Sequence, residues 1–240
     1  MTHDTENFKA HDYFIASLEN ATILMNAREE LSGERTVDHG ERRAFSMSSL
    51  LWIVTAWESY VEELAVELAT ELATQANTFQ ELPPLLQRSV CKFVENSGNQ
   101  LAAGWLSGDG WRMVVVEHAK RQAGVHDATS SEFEGAKSFG FFNTPDASNI
   151  DNLFEHACGL KDLSAQWNWR KRNAESAANE LQTLIRVRGE IAHGYTPEGI
   201  GKNWLKTYSG FVLKLVEKTE RAAQNHLESG LSSTQDLRAA

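Results

Sequence analysis

S-L-L-W-I-V-T-A-W-E-S-Y-V-E-E-L, from Ser49 to Leu64, decides the fold class. Within it and just beyond, Leu50, Val54, Trp57, Val61, Leu64, Leu68 and Leu72 recur at spacings of 4-3-4-3-4-4. Residues three and four apart share one side of a 3.6-residue helix, so the pattern predicts a long amphipathic helix with one continuous apolar seam. Glu58, Glu62, Glu63, Glu67 and Glu71 fall on its polar side. The helix is expected to end before Pro83-Pro84, because a residue ahead of proline is pushed out of the α region.

The flanking sequence continues in the same idiom. Four prolines in 240 residues (Pro83, Pro84, Pro145 and Pro197) separate stretches rich in Ala, Leu, Glu and Gln, which predicts a mostly α protein. Upstream, Phe14, Leu18, Ala21, Leu24 and Met25 place a helix over about Phe8 to Leu31, stopping at Ser32-Gly33. Downstream, shorter helices are expected near Leu85 to Val94 and Trp111 to Gln122, separated by breaks at Gly104, Gly108 and Gly110. Val114 to Val116 reads equally well as a short strand. Ser148 to Asp151 has nearly the form of a capping box and opens a helix that closes at Gly159, with Phe139, Phe141 and Phe142 pinning the loop before it. A helix from Ala174 to His193 puts Leu181, Leu184, Ile185, Arg188 and Ala192 on one stripe and stops at Gly194. Trp204, Tyr208, Phe211, Val212, Leu215 and Val216 mark a last helix to about His226. The expected organisation is one helical domain over residues 1–228, with 76–172 as a less regular insertion and 229–240 as a flexible tail.

Composition removes several function classes. Lys+Arg number 23 against 33 Asp+Glu, a net charge of −10, which argues against a protein that coats DNA by bulk electrostatics. Cys91 and Cys158 stand alone, so no disulfide framework or zinc knuckle is expected and a reducing cytoplasm is the simplest setting. The longest apolar run, Leu50 to Trp57, is far short of the roughly 20 residues of a membrane span. No secretory leader is visible at the N-terminus. Metal and phosphate-loop motifs are missing; the best acidic and histidine cluster, Asp151, Glu155 and His156, reads as a solvated helix face, so neither a metal nor a cofactor is expected.

One constellation remains, R-G-E-I-A-H-G-Y from Arg188 to Tyr195. It joins a permanently charged guanidinium to histidine, the side-chain type that titrates nearest to physiological pH. Similar Arg–His spacings occur at Arg35/His39, Arg112/His118, Arg121/His126 and Arg221/His226, but Arg188 alone falls on the apolar stripe of a long helix. An arginine facing the core needs an anion or a partner. Arg186, seven residues before His193, adds a second cation on that face.

At these residues the chain resembles the HEPN superfamily, whose nuclease members carry an R-x-x-x-x-H motif. S-L-L-W-I-V-T-A-W-E-S-Y-V-E-E-L is similar to the long early helix of the bacterial nucleases related to the RiboL-PSP group, and F-N-T-P-D-A-S-N-I-D-N-L-F (Phe142 to Phe154) is similar to the segment ahead of their motif helix. The resemblance covers about residues 45–75 and 140–225. It implies an antiparallel helical bundle and a metal-independent endoribonuclease of toxin–antitoxin or phage-defence type. Arg188 and His193 match the defining positions, whereas Gly189 stands where active members often carry Asn, Asp or His. Glu58 or Glu190 would then supply the missing polar contact.

The chemistry agrees with such a site. A 2′-hydroxyl attacking its neighbouring phosphate needs a base, an acid and cations around the phosphorane. A twofold dimer would bring two Arg188/His193 pairs into one cleft, with His193 moving protons and Arg188 holding phosphate charge. Trp167, Trp169, Arg170, Lys171 and Arg172 combine aromatics and cations suited to single-stranded RNA. Tyr195 completes R-x-x-x-x-H-x-Y, resembling a form that a partner nucleotidyltransferase silences by adenylylation. The expected partners are RNA, a second copy, and an antitoxin or defence protein. Two other readings stay open: a catalytically silent HEPN-like module binding RNA, nucleotide or protein, and a structural adaptor in which Arg188 pairs with Glu58 or Glu62.

Overall fold

A computed structural model describes residues 8–34, 38–96, 108–125, 142 and 144–236. Helix α1 (Lys9–Glu34) and helix α2 (His39–Gln75) run antiparallel along each other. The direction is fixed by Glu67, late in α2, whose carboxylate accepts the backbone N–H groups of Lys9 (2.9 Å) and Ala10 (3.0 Å) at the start of α1. Glu220 accepts the N–H of Phe8 at 3.1 Å, so two carboxylates face the positive end of the α1 dipole. α1 runs slightly past the expected Ser32-Gly33 stop. Asp38 and Glu41 open α2 as a full capping box.

The α2 seam is buried from Leu50 to Leu72. α2 packs against every other long helix of the bundle, which places it at the centre. Its aromatics anchor four neighbouring segments. Trp57 stacks with Tyr60, meets Trp167 edge-on, and donates its indole N–H to the Pro145 carbonyl at 3.1 Å. Tyr60 meets Phe14 of α1 edge-on and donates to the Val216 carbonyl at 3.3 Å. Buried Tyr and Trp need such partners for their polar ends.

The expected insertion is helical too: α3 (Pro84–Asn96), α4 (Gly110–Ala123) and α5 (Ala147–Cys158). Val114 and Val115 are buried within α4, so the strand alternative gives way to helix. No strand occurs among the described residues; one isolated bridge joins Trp169 and Arg172. α5 is capped two residues earlier than predicted, because Asp146 accepts the Asn149 N–H at 2.9 Å and Ser148 lies inside the first turn. Phe142 packs partly against the core, while Gly104, Phe139 and Phe141 lie outside the described residues.

Gly159 ends α5 with φ of 74°, in the left-handed region that side chains disfavour. A Cβ there would sit 2.8 Å from Pro83 Cβ and 3.2 Å from the Leu86 nitrogen. Gly159→Ala is therefore expected to cost at least about 2 kcal/mol, from the backbone penalty and the clash together. Denaturant unfolding would show this as a lower midpoint at unchanged slope.

Helix α6 (Ala174–Ala192) follows an Asn173 cap, and helix α7 (Lys202–Asp236) closes the bundle. Leu181, Leu184, Ile185 and Ile191 form the buried stripe of α6. Two members of the predicted stripe belong elsewhere: Ala192 is exposed, and Arg188 lies at the margin because its charge stays partly in water. α7 continues well past His226, so the segment expected to be a flexible tail from Ser229 is helical as far as Asp236.

Candidate functional site

The site is built by the end of α6. Gly194 adopts φ of 82°, its N–H reaching the Ile191 carbonyl (2.9 Å) while the Tyr195 N–H reaches the Glu190 carbonyl (2.9 Å). This is a Schellman stop, and it requires a residue free to enter the left-handed region at position 194. His193 is the cap residue, and its side chain is exposed. Tyr195 is exposed just past the stop, at 67 %.

Arg188 is held from the other side. Its Nη2 lies 3.6 Å from Glu58 Oε2 on α2, and this is its one ionic contact among the described residues. The arginine side chain is 38 % exposed and the glutamate 21 %, so the pair is half-wet and leaves guanidinium donors unused. Five residues of helix separate Arg188 from His193 by about 7.5 Å along the axis and about 140° around it. A single chain thus spreads its cation and its imidazole around the end of α6 instead of clasping one point between them. Arg186 is more exposed and pairs with Glu190 one turn on.

The carboxylates beside Arg188 are perturbed. Burial pushes Glu58 up, and Arg188 pulls it partly back. Glu62, one turn further along α2, is pushed up to about 7 by burial, with the charges of Glu58 and Glu63 adding to it. Reading by sequence gave Glu62 only the role of an alternative partner for Arg188; burial at a helix interface is not visible in an E-x-x-x-E spacing. The folded chain holds the Glu62 proton more tightly than an unfolded one would, so stability falls as pH rises from the ordinary carboxylate range through about 7. Glu62→Gln is expected to raise Tm at pH 8 and to leave it nearly unchanged at pH 5. Because Glu62 is half-exposed, the gain is discounted to about 1 kcal/mol, or about 2–4 °C at this chain length. Thermal scans of both proteins at the two pH values check this.

Gly189 has no atom within 4 Å of where a Cβ would lie. Packing therefore does not demand glycine at this position, and a polar side chain would fit.

The basic segment ahead of α6 splits into two parts. Trp167 is fully buried, meets Trp57, and donates its indole N–H to Thr219 Oγ at 2.9 Å. The expected stacking role is corrected here, because a ring without an open face offers nothing to a base. Trp169 and Arg172 close a tight turn through two mutual backbone bonds of 3.0 and 2.8 Å. The Arg172 guanidinium lies over Phe211 and Trp169, 3.3 Å from Glu180, so the fold already uses it. Arg170 and Lys171 are left at the tip, both exposed, with Lys171 at φ of 72°.

The other Arg–His spacings resolve into structural roles or lie apart. Arg112 donates to the Ala73 carbonyl and, at 2.7 Å, to the Ala76 carbonyl, closing the end of α2. His226 sits 3.1 Å from the Cys158 carbonyl, and Arg221 is exposed. Arg35 and His126 lie outside the described residues. No cluster of metal-binding side chains occurs among the described residues, and Asp151 instead accepts the N–H and hydroxyl of Ser164. No described helix is long and apolar enough to cross a membrane. Cys91 and Cys158 are free thiols.

The helices pack around one central α2, and the Arg–His pair lies at the end of α6. A model of the RiboL-PSP-HEPN family matches residues 18–225, and the chain belongs to that family. The match spans the α3–α5 segment as well as the two regions whose resemblance is visible by eye. No significant match was found among curated proteins or among solved structures.

Proposed function

We propose that the protein is a metal-independent endoribonuclease that cuts RNA by 2′-hydroxyl attack, at a composite site formed by two copies of the chain. The observation that carries this reading is the placement of the pair. Arg188 and His193 both reach the surface at the end of α6, yet on different sides of the helix, so a second copy completes what one copy spreads apart. Arg188 holds charge on the phosphorane with the guanidinium donors that Glu58 leaves unused, and His193 exchanges protons with the nucleophile or the leaving 5′-oxygen. Glu58 orients Arg188, which gives it the polar role that Gly189 lacks. Arg186 and Glu190 satisfy each other and stand at the rim. The exposed Arg170-Lys171 turn gives an acidic protein one local cationic edge for the RNA backbone.

Free thiols and the absence of a membrane-crossing helix among the described residues suit a cytoplasmic enzyme. Tyr195, exposed beside the site, is the residue an antitoxin or other defence partner would cover or modify. The reading is tested by incubating the purified chain with single-stranded RNA in EDTA, identifying the product ends, and measuring the oligomeric state. Cleavage leaving 2′,3′-cyclic phosphate from a dimer is the expected result. A folded dimer without activity favours the second reading, a silent RNA- or protein-binding HEPN module, which Gly189 motivates.

A further inference from the structure

A cleft of about 660 Å³ opens where α7 begins, lined by Glu180 of α6 and by Lys202, Asn203, Trp204, Thr207 and Tyr208 of α7. The sequence groups Trp204 with Tyr208 and Phe211 in one apolar row. The last two are each only 6 % exposed, whereas Trp204 is half-buried and lines the open cleft. The Trp204 and Tyr208 rings lie nearly face to face, 4.0 Å apart at 33°. Tyr208 meets Phe211 edge-on, and Phe211 lies beside Trp169. Burial pushes the Tyr208 phenol up to about 12, so it stays a donor to Glu180, which also holds Arg172 at 3.3 Å. Trp204 is thus the outer leaf of an aromatic row whose inner members are fixed, and little freedom is lost when a ligand lies on it.

The surroundings indicate what lies on that ring. The inner end of the row carries the exposed Arg170-Lys171 turn, which Trp169 and Arg172 close. The charge of Arg186 reaches the Tyr208 phenol, and Arg186 shares one face of α6 with His193, seven residues on. The cleft therefore adjoins both the cationic turn and the His193 side of the candidate site. On its lining, Lys202 adds a cation and Asn203 is exposed. The Thr207 hydroxyl donates to the Asn203 backbone carbonyl at 2.9 Å, a bond that leaves the side-chain amide out. That amide places a donor and an acceptor side by side, the pattern that reads a base edge. Glu180, the acid of the lining, is already engaged by Arg172. A half-open indole with a carboxamide at its edge and cations around it suits an unpaired base of single-stranded RNA.

We propose that this cleft is a specificity-setting subsite of the RNA site, in which one unpaired base of the substrate stacks on Trp204 and presents its edge to the Asn203 amide. The subsite rests on the RNA reading of the Arg188/His193 site, and its test does not use cleavage. Fluorescence anisotropy measures binding of the full chain to 2′-fluoro RNA decamers, which lack the attacking hydroxyl, with one base removed at a time. At one position, loss of the base is expected to weaken binding about 10-fold, within the worth of one stacked base. Trp204→Ala is expected to weaken the intact decamer by a similar factor and to become indifferent to that base. Its salt dependence should match the parent's, since no phosphate contact is lost. Trp204→Phe keeps a ring and should retain most of the affinity. Asn203→Ala should narrow the spread of affinities among decamers that differ only at that base. If Trp204→Ala does not fold, the base-removal series on the parent chain decides. Tight binding that no single base removal weakens, or a Trp204→Ala protein that binds as the parent does, would overturn the subsite alone. Failure of every decamer to bind would overturn the RNA reading together with it.

Discussion

Replacing His193 with alanine is expected to reduce EDTA-resistant RNA cleavage by at least about 10²-fold, the lower end of what positioned acid–base groups contribute. The folded protein should hardly notice. The side chain is exposed at a helix cap whose geometry depends on Gly194 and on backbone bonds, so Tm should stay within about 2 °C. Arg188→Ala is expected to lose activity on a similar scale, because a guanidinium aimed at a phosphorane stabilises charge present only in the transition state. Its structural cost is small: the contact to Glu58 is 3.6 Å long and half-exposed, a kind of pair worth less than about 1 kcal/mol. The adaptor reading expects the reverse pattern, a clear fall in Tm and no catalytic consequence. Gel assays on both variants, with product-end analysis and thermal scans, separate the two. A His193→Ala protein that cleaves at the wild-type rate would sink the nuclease reading.

Much of the fold was legible in the sequence because periodicity reports burial directly. All seven residues of the Leu50–Leu72 seam are buried, and the helices at Phe8, Leu85, Trp111 and Ala174 lie close to their expected limits, whereas the last helix starts near Trp204 as expected but runs ten residues past His226. The misses have local causes. Ser148 looked like a cap because its spacing imitates one, but Asp146, just after Pro145, has the extended backbone and the free carboxylate that capping needs. Arg188 looked buried because the angular stripe of a helix does not state how far a partner helix reaches; Leu184 and Ile185 are buried, while the guanidinium stays at the edge beside Glu58 of α2. Trp169 and Arg172 look like free ligands for RNA in sequence, whereas long-range packing on Phe211 and Glu180 occupies them. The raised acid Glu62 arises from tertiary burial, and no spacing rule points to it.

Trp167 gives the largest expected change in stability and also tests how the basic segment divides its labour. Truncation to alanine removes a wholly buried indole, its edge-on contact with Trp57 and its bond to Thr219, and is expected to cost about 3–5 kcal/mol. That is a large share of a stability normally near 5–15 kcal/mol, and corresponds to a Tm lower by roughly 6–20 °C. Trp167→Phe keeps an aromatic ring in place but leaves the buried Thr219 hydroxyl without its donor, for a smaller loss of about 1–3 kcal/mol. Below its lowered Tm this variant should bind single-stranded RNA as the parent does. Arg170→Ala with Lys171→Ala should do the opposite, weakening RNA binding and flattening its salt dependence while Tm holds, because both side chains sit in water at the turn. Melting curves and salt-titrated binding on the three proteins measure both axes. A Trp167→Phe protein with undiminished Tm and lost RNA affinity would return the tryptophan to the binding surface and contradict its place beside Trp57.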